Sequence, residues 1–367
     1  MRVLFDSTVF LQPHAGGIVR YFAEIGRRLP AAAQRLGIPL TQVDVHAGWH
    51  HLADASRLFD ETRFHGTWTP RWRGSWRLAR AWNEWRLAHV LNSPPGEGAI
   101  LHETYYGSRI SRRPRVKRVV TIHDMIPEET APAASRWLVR AKQASVAAAD
   151  GIIFVSESTR RHFMRVHECN KPFRVIPHAG SLRLTRSRQP VDVPWPFILY
   201  VGARGHYKNW SRLVAALANH GTLQDYGLVC TGSDFTDDDL ATLREHGFPL
   251  ARVRHIRGDD DVLADLYTHA SCFVYPSLTE GFGIPLLEAA ALGCPIACSD
   301  IDVFREVIGD CACFFNPTDT SEMARVVYST VSCGRTAERI SLARERAAKF
   351  SWDDAAEKTL GLYQELL

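Results

Sequence analysis

The sequence predicts an α/β fold built from two Rossmann-like, doubly wound parallel-sheet domains. Three observations carry that expectation. At 367 residues the chain has room for two domains of roughly 100–200 residues each. Short apolar runs of strand length alternate with segments of helical spacing, the pattern of parallel strands joined by crossover helices. Charge is also divided. Residues 1–190 carry 29 Lys and Arg against 15 Asp and Glu, a net of +14, and residues 191–367 carry 15 against 25, a net of −10.

In the first half, Val3–Phe5 reads as a strand and Gly16-Gly17 as a loop. Ile18, Tyr21, Phe22, Ile25 and Leu29 then recur at helical spacing, with Arg20, Glu24, Arg27 and Arg28 on the opposite face. Val119–Ile122, Gly151–Val155 and Phe173–Ile176 read as strands, separated by a helix near Ser135–Ala149 and a helix capped by Ser156. Ser181–Pro196 holds three prolines and three arginines without periodicity and reads as a linker. The expected domains are therefore 1–185 and 186–350, with a terminal helix over 351–367 packing back on the first.

The second half alternates more regularly. Strands are expected at Phe197–Val201, Gly227–Cys230, Val253–Ile256, Ser271–Tyr275, Pro295–Cys298 and Cys311–Phe315. Helices are expected at Asn209–Asn219, Asp239–His246, Val262–Ala270 and Pro285–Leu292. In doubly wound sheets ligands bind beyond the carboxyl ends of the strands, so the loops after Phe5, Ile122, Val201 and Tyr275 are the places to search.

Composition excludes several classes. Hydrophobic residues make up 46% and charged residues 23%, as in globular domains rather than disordered chains. No apolar run reaches the 18 residues of a membrane-spanning helix. Met1–Phe5 meets Asp6 too early for a signal peptide, so a cytoplasmic location is expected. The eight cysteines lie mostly in apolar runs as small hydrophobes, and Cys294/Cys298 and Cys311/Cys313 lack the usual zinc-knuckle spacing. No early G-x-G-x-x-G or Walker A motif is present.

The segment richest in chemistry is Pro276–Glu288, which leaves a strand, turns through Gly281 and Gly283, and enters a helix with Pro285 near its first position. Glycines admit a ligand close to backbone N–H groups, and the helix start favours negative charge, so the loop suits a phosphate or a sugar hydroxyl. Glu280 lies in the loop and Glu288 a turn inside the helix, where two carboxylates can accept hydrogen bonds from hydroxyls. A capped helix with solvated acids is the plainer account of the same residues. Asp237–Asp239 and Asp259–Asp261 each contain D-x-D, but both stand before helices and read as caps rather than metal ligands.

Glu280 and Glu288 stand at the E-x7-E spacing, and their context makes the chain resemble family 4 retaining glycosyltransferases, in particular bacterial O-antigen and surface-polysaccharide mannosyltransferase-like enzymes. Phe273–Ser277 precedes the motif and Ala289–Pro295 follows it as in that family. Gly16-Gly17, His123-Asp124, Val175–Pro177 and Phe350–Trp352 agree as well. The resemblance covers essentially the whole chain. It implies the GT-B architecture, two Rossmann-like domains facing across a cleft, and transfer of a sugar from a nucleotide-sugar to an acceptor hydroxyl with retention of configuration. Best expected is mannose or a related sugar from a GDP-sugar. UDP- and dTDP-sugars, an epimerase of the same fold and an inactive binding module stay open.

The resemblance also implies site residues. Glu280, His123, Arg204 and Lys208 are expected to be catalytic, with Arg204 and Lys208 neutralising the departing diphosphate. Gly16, Gly17, Asp124, Gly281, Phe282, Gly283, Ile284, Glu288 and Arg257 are expected to bind the donor, and Glu288 to hold its ribose. Tyr105 and Tyr106 are placed at the acceptor by location alone. No cofactor and no metal are expected, and no nucleic-acid partner. A lipid-linked or oligosaccharide acceptor is expected, with the protein peripheral to the inner face of the cell membrane. Residues 61–90 hold six arginines and two acids interleaved with Trp68, Trp72, Trp76, Trp82 and Trp85, and Arg109–Arg118 adds five arginines and a lysine. That composition suits an anionic membrane surface. It equally suits a tryptophan-packed core with a solvated basic face. Trp68, Trp72 and Trp76 are expected to share one helical face.

Overall fold

The structure, a computed structural model, describes residues 1–12, 16–53, 55–59, 63–92, 98–108, 115–130, 135–182 and 191–367. It divides into two compact units, Met1–His178 with Ser351–Leu367, and Ala179–Phe350. The 185/186 boundary expected from sequence, half of the linker (183–190) and Arg109–Arg113 lie outside the described residues.

The first unit holds strands β1 (Arg2–Phe5), β2 (Gln42–His50), β3 (Arg63–Trp68), β4 (Ala99–Glu103), β5 (Val116–Ile122), β6 (Gly151–Phe154) and β7 (Phe173–Val175). They form one sheet of order β3-β2-β1-β4-β5-β6-β7, every pair parallel. Its helices are α1 (Gly17–Leu36), α2 (Ser75–Asn92), α3 (Ile126–Glu129), α4 (Arg136–Ala148) and α5 (Glu157–Val166). Buried on both faces, the central strands read as apolar runs: Val3, Leu4, Phe5, Ile100, Leu101, Val119 and Ile122 are buried.

The C-terminal helix of this unit, Trp352–Leu366, packs against α1. Arg35 Nε donates to Glu357 Oε1 at 2.7 Å, and Tyr363 Oη lies 2.5 Å from the buried His102 Nδ1. The terminal methyls of Leu366 and Leu367 lie 2.7 Å from where a Cβ on Gly151 or Gly98 would fall, so the helix end packs closely over both glycines.

The second unit holds β8 (Phe197–Val201), β9 (Gly227–Thr231), β10 (Val253–His255), β11 (Cys272–Tyr275), β12 (Ile296–Ser299) and β13 (Cys313–Phe315). The order is β10-β9-β8-β11-β12-β13, again parallel throughout. Its helices are α6 (Trp210–Ala218), α7 (Asp237–Glu245), α8 (Asp260–His269), α9 (Ile284–Ala291), α10 (Asp302–Ile308), α11 (Thr320–Cys333) and α12 (Ala337–Ala348); the C-terminal helix Trp352–Leu366 is α13. Two parallel-sheet α/β domains are the expected fold class.

The tryptophan segment departs from expectation. Trp68 ends strand β3, Trp72 lies in the turn before α2 and Trp76 in its first turn, so the three do not share a helical face. The reason is local: Thr69-Pro70 stops the strand, and Gly74, at φ +90, enters the helix only after Trp72. Trp68, Trp72, Trp76, Trp82 and Trp85 are all exposed rather than packed in the core, with Trp85 at 61%. Among the described residues no helix is long and apolar enough to cross a membrane.

Candidate functional site

In the second unit the loops after the neighbouring strands β8 and β11 are joined. Leu278 N–H donates to Tyr207 O at 2.8 Å, and Asn209 Nδ2 donates to Pro276 O at 3.0 Å and to Pro317 O at 2.7 Å. Asn209 adopts φ +60, the left-handed region that Asn tolerates better than most residues, and this turns the chain into α6. The joined loops bring Lys208 Nζ to 2.5 Å from Glu280 Oε1. Glu280 also accepts from Ser277 Oγ at 2.7 Å, and Lys208 donates to Tyr275 Oη at 3.3 Å. Burial pulls the lysine's pKa down, but the Glu280 carboxylate and the phenol oxygens of Tyr275 and Tyr207 outweigh it, so the ammonium is held charged, above its ordinary value.

Gly283, at φ +101, caps α9, and Pro285 occupies its first turn. Phe282 is buried, with its ring edge-on to Phe350 at 5.8 Å. Glu288 is buried within α9, and Gly281 and Ile284 flank the turn. Glu280, Lys208 and Glu288 thus come from three elements of one domain, on loops and a helix that begin beyond the carboxyl ends of parallel strands.

Arg204 is oriented differently. Its Nε donates to Asp239 Oδ2 at 3.0 Å, its Nη2 reaches the carbonyls of Ser233 and Asp234, and its guanidinium lies 4.4 Å from the Phe235 ring centroid. Only Nη1, buried, has no hydrogen-bond partner among the described residues. Most of this cation's hydrogen-bonding capacity therefore serves the domain itself. A cavity of about 460 Å³ lies beside it, lined by Arg204, His206, Asn209, Trp210 and Asp239 among others. Arg257 is 72% exposed and forms an ion pair with the Asp234 carboxylate. The acidic runs cap helices as expected. Asp239 shares a capping box with Thr236, and Asp259 Oδ1 accepts from Val262 N–H at 3.1 Å.

In the first unit, Gly16 caps the N-terminus of α1 and Gly17 is its first residue, without a side-chain cap. Both line a cavity of about 450 Å³ with Thr8, Gln12, Arg71 and Tyr105. Tyr106, expected beside Tyr105 at the acceptor, does not line it. Its ring is buried, 4.7 Å from that of Tyr105, and its hydroxyl accepts from the His123 N–H at 3.2 Å, because β4 and β5 are neighbours.

His123 follows β5. It is 7% exposed and stands edge-on to Tyr21 at 5.3 Å, with His178 at 6.0 Å. Both of its ring nitrogens are buried without a hydrogen-bond partner among the described residues. Burial, helped by His178, His102 and Lys142, holds its pKa well below the ordinary value, so the ring is neutral and has one donor and one acceptor to offer. The Asp124 carboxylate caps Ile126 N–H at 3.1 Å rather than the imidazole. Sequence reading missed Lys142. Its buried Nζ donates to Asp124 O at 2.8 Å and to Glu128 Oε2 at 2.7 Å, fixing the His123-Asp124 turn. A lysine at helical spacing in α4 carries no signal of that role.

Comparison with known proteins bears on this geometry. Residues 185–346 match the family "Glycosyl transferases group 1". Over 286 residues the chain is 29% identical to the O-antigen chain mannosyltransferase B of Escherichia coli, covering 71% of this chain and 74% of that one. It is 28% identical over 276 residues to the serotype-specific mannosyltransferase WbdA of Escherichia coli, covering 68% of this chain but only 34% of WbdA, so the chain spans about a third of that relative. The sucrose-phosphate synthase of Thermosynechococcus elongatus shares the fold, with a TM-score of 0.77 at 20% identity, over 100% of this chain and 98% of that one. The chain carries a glycosyl transferases group 1 domain at residues 185–346 and is a glycosyltransferase of GT-B fold.

Proposed function

We propose that the chain transfers a sugar, with retention of configuration, from a nucleotide-sugar to a hydroxyl of a lipid-linked or surface polysaccharide such as O-antigen, with mannose or a related sugar from a GDP-sugar as donor. The observation that carries the reading is the Lys208–Glu280 pair at the mouth of α9, with Glu288 a turn inside that helix. The similarity to mannosyltransferases supports the choice of sugar.

In this mechanism the acceptor hydroxyl forms a bond to the anomeric carbon as the bond from that carbon to the diphosphate breaks. The hydroxyl proton passes to the departing phosphate oxygen on the same face. Lys208 and Arg204 Nη1 stabilise the charge that develops on the diphosphate, which is why no catalytic metal is required. N–H groups of Gly281–Ile284 and of the Gly16-Gly17 turn hold phosphate and sugar oxygens. Glu288 accepts from the ribose hydroxyls, and the neutral His123 hydrogen-bonds a sugar hydroxyl. The cavity beside Gly16, Arg71 and Tyr105 receives the acceptor, and Asp124 and Arg257 act from their turns at the edges of the donor.

The exposed tryptophans with Arg71, Arg73 and Arg77 support peripheral attachment to an anionic membrane. A melting-temperature screen with GDP, UDP, dTDP, ADP and NAD, without metal, tests the reading. A shift by one nucleoside diphosphate supports it, and the largest shift by NAD overturns it.

A further inference from the structure

Asp44 and His46 lie two residues apart on β2, on the same face of the strand, and His65 lies on the neighbouring edge strand β3. The register between the two strands shifts between Val45 and Gly48, so two residues of β2, His46 and Ala47, oppose His65 alone. That bulge stacks the two imidazoles, with centroids 4.9 Å apart and planes 16° apart. One ligating atom from each of Asp44, His46 and His65 lies within 4.8 Å of the others, and this is the group of three metal-ligating side chains found among the described residues. No sequence spacing signalled it, because the third member comes from another strand.

We propose that Asp44, His46 and His65 bind a divalent transition-metal ion of the zinc class, tying the edge strand β3 to β2. Two imidazoles and one carboxylate are a donor set that suits zinc and leaves a fourth position open to water. The spacing fits. His65 Nε2 already stands 3.0 Å from Asp44 Oδ1, and imidazoles sharing one ion at metal–nitrogen bonds of about 2.0–2.1 Å have centroids roughly 5 Å apart. His46 Nε2 is buried and has no hydrogen-bond partner among the described residues. A half-turn of the ring exchanges its two edges, so either nitrogen of His46 can serve.

The outer contacts are those of an oriented ligand. Arg2 Nε and Nη2 both lie 3.0 Å from Asp44 Oδ2, which leaves Oδ1 for the ion, and Gln42 Nε2 donates to Oδ1 at 2.5 Å. The Arg2 cation lowers affinity for a second positive charge, so binding is weaker than in a closed structural zinc site. His65 is 40% exposed and provides the path of entry. The site lies on the edge strand β3 and its inner neighbour β2 in the first unit. It is independent of the sugar-transfer reading, which needs no metal.

Equilibrium dialysis of the full chain, without an affinity tag, against zinc and against magnesium tests the proposal. His65→Gln serves as the principal variant because the side chain is 40% exposed, and its melting temperature without metal checks that it folds. Asp44→Asn, more deeply buried, is the second. Expected are one zinc per chain, loss of that equivalent in both variants, and visible d–d absorption of the tetrahedral type when cobalt replaces zinc. A rise in melting temperature with zinc is expected in the parent chain and not in His65→Gln. Zinc bound equally by the parent and His65→Gln, no zinc bound, or magnesium bound in preference would each overturn it.

Discussion

Lys208 and Glu280 are 72 residues apart in sequence, yet Nζ and Oε1 stand 2.5 Å apart. The relationship follows from the sheet. β8 and β11 are parallel neighbours, so the loops that leave them meet, and Asn209 and Leu278 hold them together. A cation and a carboxylate, both largely removed from water, are thus set in place before any substrate arrives.

That placement separates two roles. In the proposed mechanism Lys208→Ala removes the cation that faces leaving-group charge, so kcat is expected to fall by roughly 10²–10³. It also strands a largely buried carboxylate, and the melting temperature falls. Lys208→Ala combined with Glu280→Gln regains much of the stability and none of the turnover. Thermal melts and initial rates on the three variants check this; turnover recovering together with stability would assign the pair to folding alone.

His123 has two buried ring nitrogens without partners among the described residues. An unpaired polar group in a core is a cost, which in the proposed function is offset by a sugar hydroxyl hydrogen-bonded when substrate is bound. His123→Phe preserves the ring packed against Tyr21, so the melting temperature is expected to hold or rise while turnover falls by roughly 10². Because its pKa lies well below the ordinary value, kcat shows no titration from this group between pH 6 and 8. Unaltered turnover in His123→Phe would remove the role.

Acid stability follows from two other histidines. Burial lowers the pKa of both His102 and His178 to about 3 in the folded chain, against 6.5 unfolded. The folded state therefore refuses protons that the unfolded state accepts. The stability this contributes is complete above pH 6.5 and is lost as pH falls from 6.5 toward 3, at about 1.4 kcal/mol per pH unit for each histidine. Urea titrations at pH 7, 6 and 5 measure it. His102→Gln flattens the decline; a slope unchanged by that variant would contradict the assignment.

The tryptophans of the β3–α2 segment stand in water, with Trp49, Trp82 and Trp85 stacked in a row. Sedimentation with anionic vesicles is expected to pull the chain down at low salt and release it at high salt. Trp72→Ala combined with Trp85→Ala weakens capture without altering the melting temperature, because neither ring is packed in the core. Capture unaffected by salt, or no capture, would contradict a membrane surface.

The second domain was more legible in the sequence than the first, for a physical reason. Its strands are apolar runs buried on both faces and bounded by clear caps, such as Thr236 and Asp259. In the first domain β2, β3, α2 and β4 escaped notice. The strand β2 carries Gln42, Asp44, His46 and His50 among its apolar residues, and α2 buries Asn83 to serve the backbone of β2 at Ala47 and Trp49. Polar residues that satisfy buried backbone groups erase the periodic signal. At the site, Lys208 and Glu280 were each legible from local motifs, while their pairing was not, because only the sheet order brings them together. Arg204 was read as a cation and not as the partner of Asp239, which depends on how β9 and α7 place that acid.

The most direct measurement is the melting temperature with GDP, UDP, dTDP and NAD, without metal, in the parent chain and in Glu288→Gln. A GDP shift exceeding the other three and abolished by Glu288→Gln is the result expected of a GDP-sugar transferase that grips its donor at α9. A larger shift with NAD, or a GDP shift that survives Glu288→Gln undiminished, would contradict it.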